Sequence, residues 1–122
     1  MRVELDHTIV HSRDQRQSAV FLAEILGLGQ PKKFGHFDTV QLGNGVTLDF
    51  MDAGPNLMAQ HYAFLVDENS FDEILSRIRE RGIEYWADPL HKVRNTINTD
   101  HGGRGLYFND PSGHNLEVLT KS

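Results

Sequence analysis

The feature that most constrains this chain is that its second half repeats its first. With His7 laid over His61, Gly27 and Gly82 fall 20 and 21 residues downstream, and Leu48-Asp49-Phe50 lies opposite Leu116-Glu117-Val118. Each half therefore reads as a strand, a helix closed by glycine, and a hairpin whose last strand bears a carboxylate. In the first half, Val3, Leu5, His7 and Ile9 alternate onto one side of a strand from Val3 to Val10, because side chains along a strand change face at every residue. Ser12 with Gln15 has the form of a capping box, and Phe21, Leu22, Ile25 and Leu28 follow at helical spacing before Gly27 and Gly29 supply stops. Lys32 to Phe37 adds an edge strand. Phe37 to Leu42 and Val46 to Met51 flank Gly43-Asn44-Gly45, a cluster suited to the positive backbone angles of a tight hairpin.

The second half keeps this order. Gln60 to Val66 is a strand, Ser70 with Glu73 forms a second capping box, and Phe71, Ile74, Leu75 and Ile78 make the stripe of an amphipathic helix ended by Gly82. Ile83 to Trp86 reads as the next strand, and Leu106 to Asn109 pairs with Asn115 to Leu119 across Asp110-Pro111-Ser112-Gly113. The expected fold class is α+β, one domain over residues 1–122 made of two β-α-β-β-β modules, about 1–54 and 57–122. His and acid are 42 residues apart in the first module and 56 in the second. The loop around Lys92 to Arg104 absorbs the surplus, a polar excursion of the kind that serves as lid or binding loop, or is mobile.

A chain of 122 residues removes roughly two thirds of its unfolded surface from water on folding, enough for a real core. No apolar run approaches the roughly 20 residues that cross a bilayer, and the opening residues lack the features of a secretory signal. A soluble, cytoplasmic protein is expected, with no membrane partner. The net charge of −5 argues against a nucleic-acid partner, which demands clustered Lys and Arg; Arg77, Arg79 and Arg81 read as the solvated face of a helix. With no cysteine, any metal must be held by nitrogen and oxygen.

A single histidine at a strand end is usually a hydrogen-bonded structural residue. Here both His7 and His61 begin the first strand of a repeat, while Asp49 and Glu117 sit in the last. Pseudo-twofold symmetry would bring the four to a common centre. Two imidazoles and a carboxylate form a facial set that suits a divalent first-row metal and leaves positions open for water, substrate or oxygen.

Asp6-His7-Thr8-Ile9-Val10, Gln60-His61-Tyr62-Ala63-Phe64-Leu65-Val66 and the run Gly105 to Glu117, with Asn109-Asp110-Pro111-Ser112-Gly113-His114 at its turn, resemble the vicinal oxygen chelate superfamily, which includes glyoxalase I, fosfomycin-modifying enzymes, bleomycin-binding proteins and extradiol dioxygenases. The resemblance covers nearly the whole chain. It implies sheets curled into a half-open barrel around a metal site, with the helices outside. His7, His61 and Glu117 match the family's metal ligands. Asp49 matches a fourth ligand position that glyoxalase I fills with glutamate; one methylene shorter, it reaches the metal directly, acts through water, orients a ligand, or is a solvated strand residue. Many relatives complete the barrel between two chains, which implies a homodimer with shared metal sites.

The other histidines have weaker claims. His114, in the closing turn, reads as structural, and the sequence assigns no role to His11 or His36. His91 and His101, in or beside the long loop, are solvated or serve as acid, base or substrate donor if the loop covers the site; His101 and Tyr107 are taken as candidate catalytic residues. Tyr107 and Tyr85-Trp86 line an aromatic pocket or pack the core, and Arg94 or Arg104 suits an anionic substrate oxygen.

The superfamily's common mechanism binds substrate oxygens at the metal, which stabilises a developing enolate or oxyanion. Ile9 stands where fosfomycin-modifying relatives carry threonine, and bleomycin binders generally lack the metal triad. Tyr85-Trp86-Ala87-Asp88-Pro89, Asn98 and Gly102-Gly103-Arg104-Gly105 resemble small single-unit oxygenases of aromatic polyketide pathways, of the chartreusin type. That similarity implies a dioxygenase-type oxidoreductase acting on a small aromatic or vicinal-oxygen substrate, with iron(II) favoured over nickel, zinc, manganese or cobalt. The alternatives are a glyoxalase-like lyase or isomerase and a non-catalytic small-molecule binder.

Overall fold

The computed structural model describes residues 2–122, and the chain divides after Met58 into two compact units. The first unit runs β1 (His7–Ser12), α1 (Gln15–Leu26), β2 (Lys32–Phe34), β3 (Phe37–Gln41) and β4 (Thr47–Asp52). Its sheet has the order β1-β4-β3-β2, with β1 parallel to β4 and the other pairs antiparallel. The second unit contains β5 (His61–Leu65), α2 (Glu68–Glu80), β6 (Gly105–Asn109) and β7 (Asn115–Leu119), in a sheet ordered β5-β7-β6 with β5 parallel to β7. Two helices and two small mixed sheets make the chain α+β. The strand expected at Ile83 to Trp86 contracts to Trp86 alone, which bridges Tyr107 of β6. Trp86 thus stands beside β6 as β2 stands beside β3.

Both helices start on a carboxylate rather than on the expected serines. Asp14 accepts from the Gln17 N–H at 3.0 Å, and Asp67 accepts from the Ser70 N–H at 2.7 Å. Ser12 is still in β1, buried and paired with Asp52, so the first residue free to leave extended geometry with an acceptor in hand is Asp14. Gly27 closes α1 at φ 71°, its left-handed conformation free of a Cβ penalty.

One face of each sheet carries the core. In the first unit Val10, Val40, Leu48 and Phe50 are buried with Ala19, Leu22 and Ile25 of α1, which packs on β1, β3 and β4. In the second, Phe64, Leu106, Phe108, Leu116 and Val118 are buried, as are Phe71, Ile74, Leu75 and Ile78 of α2. The opposite faces hold the histidines: Ile9 is 39% exposed and Leu65 68%. The apolar alternation starting at Val3 does not mark the core side. β1 starts only at His7, because β4 begins at Thr47 and offers nothing opposite Val3 and Leu5, which stay exposed.

Candidate active site

The register of the sheets gives the repeat its chemical meaning. In the first unit His7 lies opposite Thr47 and Ile9 opposite Asp49; in the second, His61 lies opposite Asn115 and Ala63 opposite Glu117. The acid is thus offset two residues from the histidine in both units, which puts the two on the same face of adjacent strands. A third residue completes each row. Thr39 pairs with Asp49 and donates its hydroxyl to Oδ1 at 3.0 Å, while Tyr107 pairs with Glu117 across the strands and faces its carboxylate. Thr39 has no place in the reading from sequence, yet a signal was there: both hydroxyl residues precede their acid by 10 positions.

In the second unit, His61 Nε2 and Glu117 Oε1 are 3.0 Å apart, with side chains 48% and 16% exposed. Two donors each about 2.1 Å from a metal and at right angles to one another are about 3.0 Å apart, so this spacing suits two adjacent ligands. Burial, then the neighbouring Glu117 carboxylate, pushes the Tyr107 phenol up to about 12. At neutral pH it therefore keeps its proton and is not a base. The His61 and Tyr107 rings lie 5.9 Å apart, tilted by 54°.

In the first unit His7 Nδ1 is 2.7 Å from Asp6 Oδ2. The acceptor there is the carboxylate, so Nδ1 carries the proton and Nε2 is the nitrogen left for coordination. The Asp6 hydrogen bond raises the His7 pKa, with further help from the Asp6 and Asp49 charges. Asp49 is buried and engaged by Thr39. Among the described residues no three His, Asp or Glu side chains gather into one cluster; the structure brings together His61 with Glu117, and Asp49 with Thr39.

The remaining candidates separate clearly. His101 occupies the exposed 3-10 turn Asp100–Gly102, with φ 60°. The adjoining Gly103 abuts Thr120 and Lys121, so this turn sits beyond the end of β7, about 10 Å along the strand from Glu117 at the usual rise. His114 is fully buried, accepts from the Gln60 N–H through Nδ1 at 2.9 Å and meets Tyr62 edge-on, a structural role. Tyr85 is buried with its hydroxyl 3.2 Å from Arg79 of α2 and belongs to the core. Trp86 is on the side of Tyr107. Both arginines offered for a substrate oxygen are engaged: Arg104 with Glu68 and Asp72 at 2.8 Å each, and Arg94 with Glu84 at 3.2 Å. A polar recess of about 550 Å³ opens at the start of α1 beside Arg16, Lys33, His36 and Asp38. Neither His7 nor Asp49 lines it.

The long excursion is laced by hydrogen bonds. The Asp88 carboxylate accepts from the Lys92 and Val93 N–H groups, which hold its pKa below the usual range; Asn98 donates to the Ala87 carbonyl at 2.8 Å and pairs with Gly105 through the backbone.

The chain belongs to the Glyoxalase/Bleomycin resistance protein/Dioxygenase superfamily, whose model matches residues 4–118. Among solved structures it is similar to one named oxidase ChaP-H1, at 57% identity and TM-score 0.97, over 99% of this chain and 98% of that one. It is similar to oxidase ChaP-H2 at 53% identity and TM-score 0.97, over 100% and 96%. Among curated proteins it is 27% identical to glutathione transferase FosA of Serratia marcescens, over 97% of this chain and 81% of that protein.

Proposed function

We propose that this chain is a metal-dependent oxidising enzyme acting on a small aromatic substrate with vicinal oxygens, and that His7, His61 and Glu117 hold one divalent metal, iron(II) by preference. The observation that carries this reading is the His61–Glu117 pair, two donors of suitable chemistry 3.0 Å apart on an open sheet face. The kinship with two structures named oxidases, at more than half identity, favours oxidation over the lyase or isomerase chemistry of glyoxalases. When bound, the metal supplies a cationic centre that draws two substrate oxygens together and stabilises negative charge on them.

The chain's own residues do the rest. Asp6 holds the His7 ring by its Nδ1 proton. Tyr107 keeps its proton and restrains Glu117 through it, and Trp86 and Tyr107 give a planar substrate an apolar wall. Asp49, tied to Thr39, orients the histidine half of the site or adds a fourth donor. His101 has less to do with the reacting centre than its sequence position suggested. The exposed faces bearing His7 in one unit and His61 in the other fit a homodimer in which His7 of one chain faces the His61–Glu117 pair of a second.

Oxygen uptake with iron(II) and a polycyclic quinol separates the readings. Turnover that requires dioxygen supports the oxidising enzyme. Turnover of a glutathione hemithioacetal without oxygen, on nickel or zinc, would move the protein to the glyoxalase class, and tight ligand uptake with no turnover in either assay would make it a binder.

A further inference from the structure

The excursion between Trp86 and β6 contains three residues other than glycine in left-handed backbone: His91 at φ 59°, Asn95 at 54° and His101 at 60°. Such backbone is disfavoured for a residue with a Cβ and persists where other contacts hold it. At His91 those contacts are specific. Its imidazole lies flat on the Trp86 indole, with centroids 3.8 Å apart and planes 6° from parallel, and its Nε2 is 3.1 Å from Asn115 Oδ1. Asn115 in turn donates Nδ2 to the Pro89 carbonyl at 3.4 Å, so both ends of its amide are turned onto the excursion.

The two residues that His91 grips each belong to a row of the candidate site. Trp86 bridges Tyr107, which pairs with Glu117; Asn115 lies opposite His61. One ring therefore ties the excursion to the strand positions of both Glu117 and His61 in the second unit.

We propose that His91 is a positioning residue, a latch that pins residues 87–104 to the second unit and sets Trp86 and Asn115 as the wall against which a planar aromatic diol binds. This rests on the reading of His61 and Glu117 as the metal-binding pair. The latch touches neither ligand, so its loss leaves metal content alone while loosening the excursion and weakening the aromatic ligand.

Trp86 is the chain's single tryptophan, so its emission reports on the stack directly. His91→Asn accepts left-handed backbone but removes the ring; His91→Phe keeps a ring and removes the hydrogen bond. Both variants, checked for folding by circular dichroism, are compared with the wild type for Trp86 emission, hydrogen exchange, metal content and affinity for 2,3-dihydroxynaphthalene. In His91→Asn, emission should change, exchange across 87–104 should quicken about tenfold, and the diol's Kd should rise about tenfold at unchanged metal content. His91→Phe should fall between. Exchange within twofold of wild type in both variants would overturn the latch, and so would faster exchange with an unaltered Kd. A wild-type chain that takes up no metal would sink the metal reading, while the exchange comparison would still decide whether His91 holds the excursion.

Discussion

Glu117 has two neighbours of different character, His61 at 3.0 Å and the phenol of Tyr107, which faces it from β6. A ligand restrained by a hydrogen-bond donor costs less to order when the metal arrives, and losing such a partner typically costs 10- to 100-fold in metal affinity or activity. Tyr107→Phe, which removes the hydroxyl and keeps the ring, should therefore weaken metal binding about tenfold in a chelator competition; an unchanged affinity would show that the phenol does not restrain Glu117. The strand positions of His7, His61, Asp49 and Glu117 were legible in the sequence because a repeat carries equivalent positions with it. The partners Asp6 and Thr39 were not, since their roles depend on which atom faces which. Arg104 reads from sequence as a cation suited to a substrate oxygen, whereas in the fold Glu68, Asp72 and the Phe71 ring occupy it.

The elements show where pattern and packing part company. Periodicity located both helices, but the caps fell on Asp14, because β1 continues through Ser12, and on Asp67. Asp14→Ala should lower stability by about 1 kcal/mol in chemical denaturation, the usual worth of an N-cap, while Ser12→Ala should leave the helix start unchanged. Asp38 ties α1 to the hairpin: fully buried in β3, it accepts from Gln15 at 2.9 Å, Lys33 at 3.1 Å and Arg16 at 3.2 Å. Burial works against its charge, but the hydrogen bonds from Gln15, Lys33 and Arg16 outweigh it and hold the pKa below 3.8. A carboxyl with a depressed native pKa favours the folded state above its unfolded value and loses that contribution as the pH falls through the native one. Asp38→Ala should thus cost about 2 kcal/mol at neutral pH, with a difference from wild type that shrinks below pH 3.8. A difference independent of pH would deny the carboxylate this role.

Across the whole chain, the repeat gives the two sheets one arrangement. Both sheets place a histidine on the strand that pairs in parallel with the acid-bearing strand, at the same two-residue offset. That correspondence was legible down to the acid. The reduction of Ile83 to Trp86 to a single bridge was not, because the excursion after it draws the backbone away: Asn95 takes the Tyr85 carbonyl at 2.7 Å, and Val93 takes the Ala87 N–H at 3.0 Å. We infer that His7, His61 and Glu117 together hold one metal ion. Elemental analysis of protein purified without chelator, beside His7→Ala, His61→Ala and Glu117→Ala, tests it most directly. The expected result is about one divalent metal per chain in the wild type and its loss in each folded variant; wild-type metal content in all three variants would contradict it.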